Sequence, residues 1–166
     1  MRVLGIDPGL NITGYGVVDR TGRRLTIVEA GVIRPGRADH PLETRLAVLA
    51  TGLEEVLAQF HPEAMSLEEV FSHRRFPLAA LWMAHARGVV CLMAARAGVP
   101  VHSYASTMVK LSLVGHGRAT KEQVQHMVAL RFGLPQPPQP ADVADALALA
   151  ITHLEAAAHP ALAAAE

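Results

Sequence analysis

The order in which hydrophobic periodicities follow one another constrains this chain more than any other feature. Apolar runs at residues 2–7, 14–19 and 25–33 are of strand length and are separated by Pro8-Gly9 and Thr21-Gly22, so the chain opens as a three-strand meander. After Pro41 the spacing changes. Leu42, Leu46, Leu49, Leu53, Val56, Leu57 and Phe60 step by three and four, which predicts a helix ending near His61-Pro62. A strand is expected at 65–70, then a helix from Pro77 to about residue 97, closed by Gly98, and a last short strand at 99–104. Thr120 with Gln123 has the form of a capping box, which puts Lys121 in the first turn of a helix ending by Gly133. A Pro-rich link, 135–140, leads to a terminal helix at 141–157, and residues 159–166 are expected to fray. Strands first, then helix and strand in alternation, describe an α/β fold: a mixed five-stranded sheet with helices on both faces, formed by one domain over 1–158.

The 166 residues suit one sizeable core. One cysteine, Cys91, lies in an apolar run and reads as core, so no disulfide framework is possible and a reducing cytoplasm is the expected compartment. No charged-then-apolar leader opens the chain, and Arg87 and Arg96 interrupt its longest apolar stretch. Neither a signal peptide nor a membrane span is expected. Net charge is zero, which taken alone argues against nucleic acid, yet the distribution is uneven. Residues 70–141 hold eight basic side chains (Arg74, Arg75, Arg87, Arg96, Lys110, Arg118, Lys121 and Arg131) against one acid, Glu122, for +7. The flanks carry −3 and −4. Chance clustering of solvated charges would give the same pattern.

Three of the five aspartates stand where chemistry could use them: Asp7 at the end of the first strand, and Asp142 and Asp145 opening the last helix. Glu68 and Glu69 end another strand. Alone, Asp7 is a common turn residue and Asp142 with Asp145 a dipole-favoured first helical turn. Together they form a set of hard oxygen donors suited to Mg²⁺ or Mn²⁺. Two such ions about 3.5–4 Å apart would activate water and stabilise the departing oxygen of a phosphodiester.

In Gly5-Ile6-Asp7-Pro8-Gly9, Thr13-Gly14-Tyr15-Gly16-Val17, Leu67-Glu68-Glu69-Val70-Phe71, Val124-Gln125-His126-Met127 and Ala141-Asp142-Val143-Ala144-Asp145-Ala146-Leu147-Ala148, the chain resembles the RuvC family. The resemblance runs from residue 2 to about 155, with the motifs in order and at the right separations. It implies a ribonuclease H-like homodimer that makes paired nicks across a four-way (Holliday) junction in recombination and repair, leaving 5′-phosphate and 3′-hydroxyl ends. It further implies Mg²⁺, with Mn²⁺ as an alternative, and the branch-migration proteins RuvA and RuvB as partners. By motif match the catalytic, metal-holding acids are Asp7, Glu68, Asp142 and Asp145. Glu69 departs from members with Gln at that place. Because successive strand side chains face opposite ways, Glu68 is the expected ligand.

Lysine is scarce here, two against thirteen arginines, and both lysines lie in the basic stretch. Lys121 in a first helical turn adds a cation where backbone N–H groups already favour phosphate, and Lys110 resembles the family's other phosphate-contacting lysine. Phe71, just before His73-Arg74-Arg75, resembles the family's base-stacking aromatic, with core burial as the competing explanation. Phe71, Arg74, Arg75, Lys110, Arg118 and Lys121 are the expected DNA contacts.

The helix beginning at Pro77 is apolar nearly all round, so it is either a central core helix or meets a second subunit, with Leu81 and Met93 as candidate outer-face positions. Gly14-Tyr15-Gly16 could suggest a dinucleotide fingerprint, but the third glycine is missing and a strand follows. An actin-like phosphotransferase shares the first-strand Asp and glycine turn, yet needs two copies of the fold. A junction-binding module without activity would have lost one of the acids, and all four are present.

Overall fold

The computed structural model describes residues 1–69 and 77–158. Phe71, Arg74, Arg75 and the 159–166 tail, about which the sequence raised expectations, lie outside the described residues. The strands are β1 (Arg2–Asp7), β2 (Thr13–Thr21), β3 (Arg24–Ile33), β4 (Ala64–Glu68) and β5 (Val101–Tyr104). The helices are α1 (Leu42–Phe60), α2 (Pro77–Arg96), α3 (Ser106–Val114), α4 (Lys121–Phe132) and α5 (Ala141–Ala158). In the sheet the order is β3-β2-β1-β4-β5, antiparallel through the opening meander and parallel from β1 to β4 to β5. This is the mixed sheet expected from the alternation of elements. β4 ends at Glu68, two residues early, and β5 begins two residues late, after Pro100, which has no N–H to offer a ladder.

Strand alternation sorts the core into two layers. Leu4, Ile6, Val17, Met65 and Leu67 face α1 and α2, where they meet Leu49, Leu53, Ala86, Val90 and Met93. Val3, Val18 and Ala64 face the other way, against Leu147, Ile151 and Leu154 of α5, with α3 and α4 packed outside that helix. α5 is therefore the central helix, buried almost continuously from Val143 to Leu154. The burial of α2 bears on the first of its two accounts only. Its buried side chains Ala86, Val90, Met93 and Ala94 form one stripe, whereas Leu81, Trp82, Met83 and Leu92 are exposed. α2 is not a central core helix. Met93 is a correction to the sequence expectation, being 6% exposed and core-facing, and Leu92 at 56% exposed takes its place on the outer face.

The α4 capping box forms as its spacing predicts: Gln123 N–H donates to Thr120 Oγ1 at 3.3 Å, and the Thr120 N–H donates to Gln123 Oε1 at 2.9 Å. Its start, and with it Lys121, is fixed locally. Cys91 is partly buried against the core. Among the described residues no helix is long and apolar enough to cross a membrane.

Candidate active site

The alternation that builds the core also gathers the acids. Val3, Gly5 and Asp7 share the α5 face of β1, and Ala64, Ser66 and Glu68 share the same face of β4, since Ser66 Oγ donates to the Leu149 carbonyl of α5 at 2.8 Å. Glu68, not Glu69, therefore stands beside Asp7. The start of α5 brings Asp142, in its first turn, and Asp145, three residues on, over the same strand ends.

Three glycines set how closely α5 approaches. Gly5 and Gly16 are paired in the β1–β2 ladder, and Gly14 is paired with Asp7. A Cβ on Gly5 would stand 1.9 Å from the Ala146 carbonyl oxygen, one on Gly14 2.1 Å from the Asp142 carbonyl oxygen, and one on Gly16 2.6 Å from Leu147 Cδ2. At Gly5 and Gly14 backbone lies on backbone, and a side chain there would lift the helix and its aspartates off the sheet, whereas at Gly16 it would meet the Leu147 side chain. Gly14-Tyr15-Gly16 thus serves helix–sheet packing, in line with rejecting a nucleotide fingerprint.

The turn after Asp7 is held from two sides. Thr13 Oγ1 donates to the Gly9 carbonyl at 2.7 Å and accepts from the Gly9 N–H at 3.1 Å. Arg45, buried within α1, donates to the Leu10 carbonyl at 3.3 Å and to Asn11 Oδ1 at 2.9 Å. Sequence reading passed over Arg45, because an arginine at a polar-looking helix position carries no mark of the loop it will reach. On the far side of Glu68, Tyr104 is its register partner in β5, and Tyr104 Oη lies 2.7 Å from His153 Nδ1 of α5. Burial, and secondarily His102, pushes the His153 imidazole down to about 4, so the group is neutral at pH 7.

The electrostatics of the cluster show in Asp7. Burial first, then the charges of Asp145, Glu68 and Asp142, push its carboxyl up from an ordinary 3.8 to about 7, while Lys121 acts in the opposite direction. Two separate segments, β4 and α5, thus direct negative charge at one half-buried carboxyl. Lys121 Nζ reaches Asp145 Oδ2 at 2.6 Å, and its ammonium is held charged mainly by that hydrogen bond. Among the described residues no three side chains stand close enough to hold an ion as placed, so the acids feel one another without having closed on a common point. The donor set still fits hard divalent cations. It consists of carboxylate oxygens, it is repulsive when fully ionised, and one of its members is pushed toward its protonated form by burial and by the other acids.

Of the basic residues expected at DNA, Lys121 joins the cluster. Lys110 lies on α3 and is not among the charges felt at Asp7, and Arg118 is exposed in the α3–α4 connection.

The chain matches the family model described as crossover junction endodeoxyribonuclease RuvC over residues 3–153. It is 51% identical over 149 residues to the crossover junction endodeoxyribonuclease RuvC of Rhodopirellula baltica, covering 90% of this chain and 83% of that one. It is 47% identical to that of Yersinia enterocolitica, with 91% and 85% covered. Thermus thermophilus RuvC in complex with a Holliday junction substrate superposes with a TM-score of 0.88 at 39% identity, over 95% of this chain and 94% of that one. Fold and sequence agree over nearly the whole chain, and the chain belongs to the RuvC family of crossover junction endodeoxyribonucleases.

Proposed function

We propose that this protein is a divalent-metal-dependent endonuclease that resolves four-way DNA junctions by paired nicks, with Asp7, Glu68, Asp142 and Asp145 holding the metal. The observation that carries this reading is the gathering of acids from β1, β4 and α5 at one set of strand ends, where Asp145, Glu68 and Asp142 each raise the Asp7 carboxyl. Such a cluster is costly unless cations enter it. Mg²⁺ or Mn²⁺, two per site, would supply water activation and stabilisation of the leaving 3′-oxygen. The protein's own groups hold the cluster and grip the substrate. Lys121, at the N-terminus of α4 and in contact with Asp145, offers an ammonium beside backbone N–H groups to a phosphate entering the site. Lys110 and Arg118 would extend phosphate contact away from the acids, and Phe71, Arg74 and Arg75 are assigned to the junction on sequence grounds.

Two opposed cuts need two sites. The exposed Leu81, Trp82, Met83 and Leu92 of α2 supply a patch through which two copies could pair about a two-fold axis. Branch-migration partners RuvA and RuvB and a cytoplasmic setting complete the reading. The test is a synthetic four-way junction with Mg²⁺, resolved on a denaturing gel. Symmetric nicks with ligatable ends are expected, and junction binding without cutting would sink the proposal in favour of a binding module.

A further inference from the structure

Glu68 is the last residue of β4, where support from β1 has ended and only β5 still pairs with the backbone. Pairing with β1 ends at Leu67, opposite Ile6, and pairing with β5 ends at Glu68 itself, opposite Tyr104. One more ladder-like bond follows, from the Glu69 N–H to the Tyr104 carbonyl at 2.9 Å. The Glu68 carbonyl is taken by a side chain instead. Arg87 of α2 donates through Nη1 to that carbonyl at 2.6 Å and through Nη2 to Ser103 Oγ of β5 at 2.6 Å. Both bonds are short and charge-assisted.

We propose that Arg87 is a positioning residue for Glu68, fastening the α2 helix to the metal site. The inference rests on Glu68 being a metal-holding carboxylate. The argument is geometric. The Glu68–Glu69 peptide plane is set at its carbonyl by one guanidinium nitrogen, while the other nitrogen braces that guanidinium on the neighbouring strand. Because the Cα–Cβ bond follows the backbone, turning that plane swings the carboxylate, and displacement by about 1 Å is enough to lose most of the value of a positioned group. Only a planar fork reaches both acceptors at once; a lysine in place of Arg87 would choose between them. Arg87 comes from the helix with the exposed apolar stripe, adjacent to buried Ala86, so movement of α2 is passed to Glu68. Neither bond goes to a carboxylate, which makes this a brace for the strand end rather than part of the acidic cluster.

The experiment titrates Mn²⁺ alone into DNA-free protein by calorimetry and, separately, measures single-turnover cleavage and equilibrium affinity for a four-way junction. Arg87→Met is expected to weaken Mn²⁺ binding and slow cleavage by about 10–100-fold with junction affinity unchanged, and Arg87→Lys should recover part of both. Ser103→Ala, which frees one end of the guanidinium, should show a smaller loss in the same direction. If Arg87→Met does not fold, Arg87→Lys and Ser103→Ala carry the test. Mn²⁺ affinity and cleavage rate within about twofold of wild type in the folded variants would reduce Arg87 to a packing contact and overturn the proposal. Glu68→Gln is the companion arm. If Glu68→Gln leaves Mn²⁺ binding intact, the reading of Glu68 fails and this inference falls with it; if Glu68→Gln abolishes binding while the Arg87 and Ser103 variants do not alter it, only the inference about Arg87 fails.

Discussion

Replacing Asp7 by asparagine should stabilise the metal-free protein at alkaline pH, although it removes a residue assigned to catalysis. A rise of the Asp7 carboxyl from 3.8 to about 7 corresponds to a preference for the protonated form of about 4 kcal/mol in the folded chain. The sign follows from linkage. A carboxyl raised on folding lends stability below its ordinary value, and this is lost as pH climbs through about 7. The amide of the Asp7→Asn variant stays neutral throughout. In EDTA its advantage over wild type should be near zero only below the ordinary value of 3.8, reach about a third of its full size by pH 5 and grow to pH 8. About 4 kcal/mol is the ceiling, and rearrangement of neighbouring carboxylates and counter-ions should leave roughly 1–2 kcal/mol. For a chain of this length that is about 2–8 °C in Tm. Thermal melts followed by circular dichroism at pH 5, 6.5 and 8, in EDTA and in Mg²⁺, provide the assay, and Mg²⁺ should raise the wild-type Tm at pH 8 far more than that of the variant. A variant no more stable than wild type at pH 8 in EDTA, or an advantage independent of pH, would refute the account of the cluster as electrostatically strained.

Glu68→Gln, Asp142→Asn and Asp145→Asn should each abolish junction cleavage while gel-shift affinity persists; near-normal cutting by any one removes that residue from the site. Lys110→Ala and Lys121→Ala should weaken junction binding or slow cleavage, and wild-type affinity should fall as salt is raised, whereas salt-independent binding would contradict phosphate contact through the basic segment. Leu81→Glu or Leu92→Glu should give a monomer in sedimentation with poor paired cutting, and a wild type that is monomeric at micromolar concentration yet cuts both strands would remove the need for pairing. Gly5→Ala, whose Cβ would meet the Ala146 carbonyl at 1.9 Å, should cost at least about 1–3 kcal/mol in urea melts and impair cleavage; a neutral result would mean that α5 can be lifted without harm.

What the sequence made legible was whatever depends on neighbours along the chain. The α4 capping box was readable because Thr120 and Gln123 are three residues apart, and the choice of Glu68 over Glu69 followed from strand alternation. What depends on distant partners was not legible. Arg87 and Arg45 look like solvated helix charges until the strand end and the turn they reach are in place. Gly14 and Gly16 suggest only a dinucleotide fingerprint, which the missing third glycine rejects, and Gly5 suggests no role of its own, because their reason, α5, is encoded some 130 residues later. Met93 was misplaced for the related reason that a helix apolar nearly all round gives no phase from which to tell inside from outside.

Asp142 and Asp145 leave the ribosome about 135 residues after Asp7. At roughly 5–20 residues per second, the interval between them is on the order of ten seconds of synthesis. Throughout it the nascent chain can form its meander and later its β4 and β5 strands, but half of its acids do not yet exist. A product truncated before α5 would carry Asp7 and Glu68 on an uncovered sheet and should cut nothing. On the proposed assignment of the four acids, partial enzymes are thereby avoided, because the helix translated after both strand-end acids is also the one that would arm them.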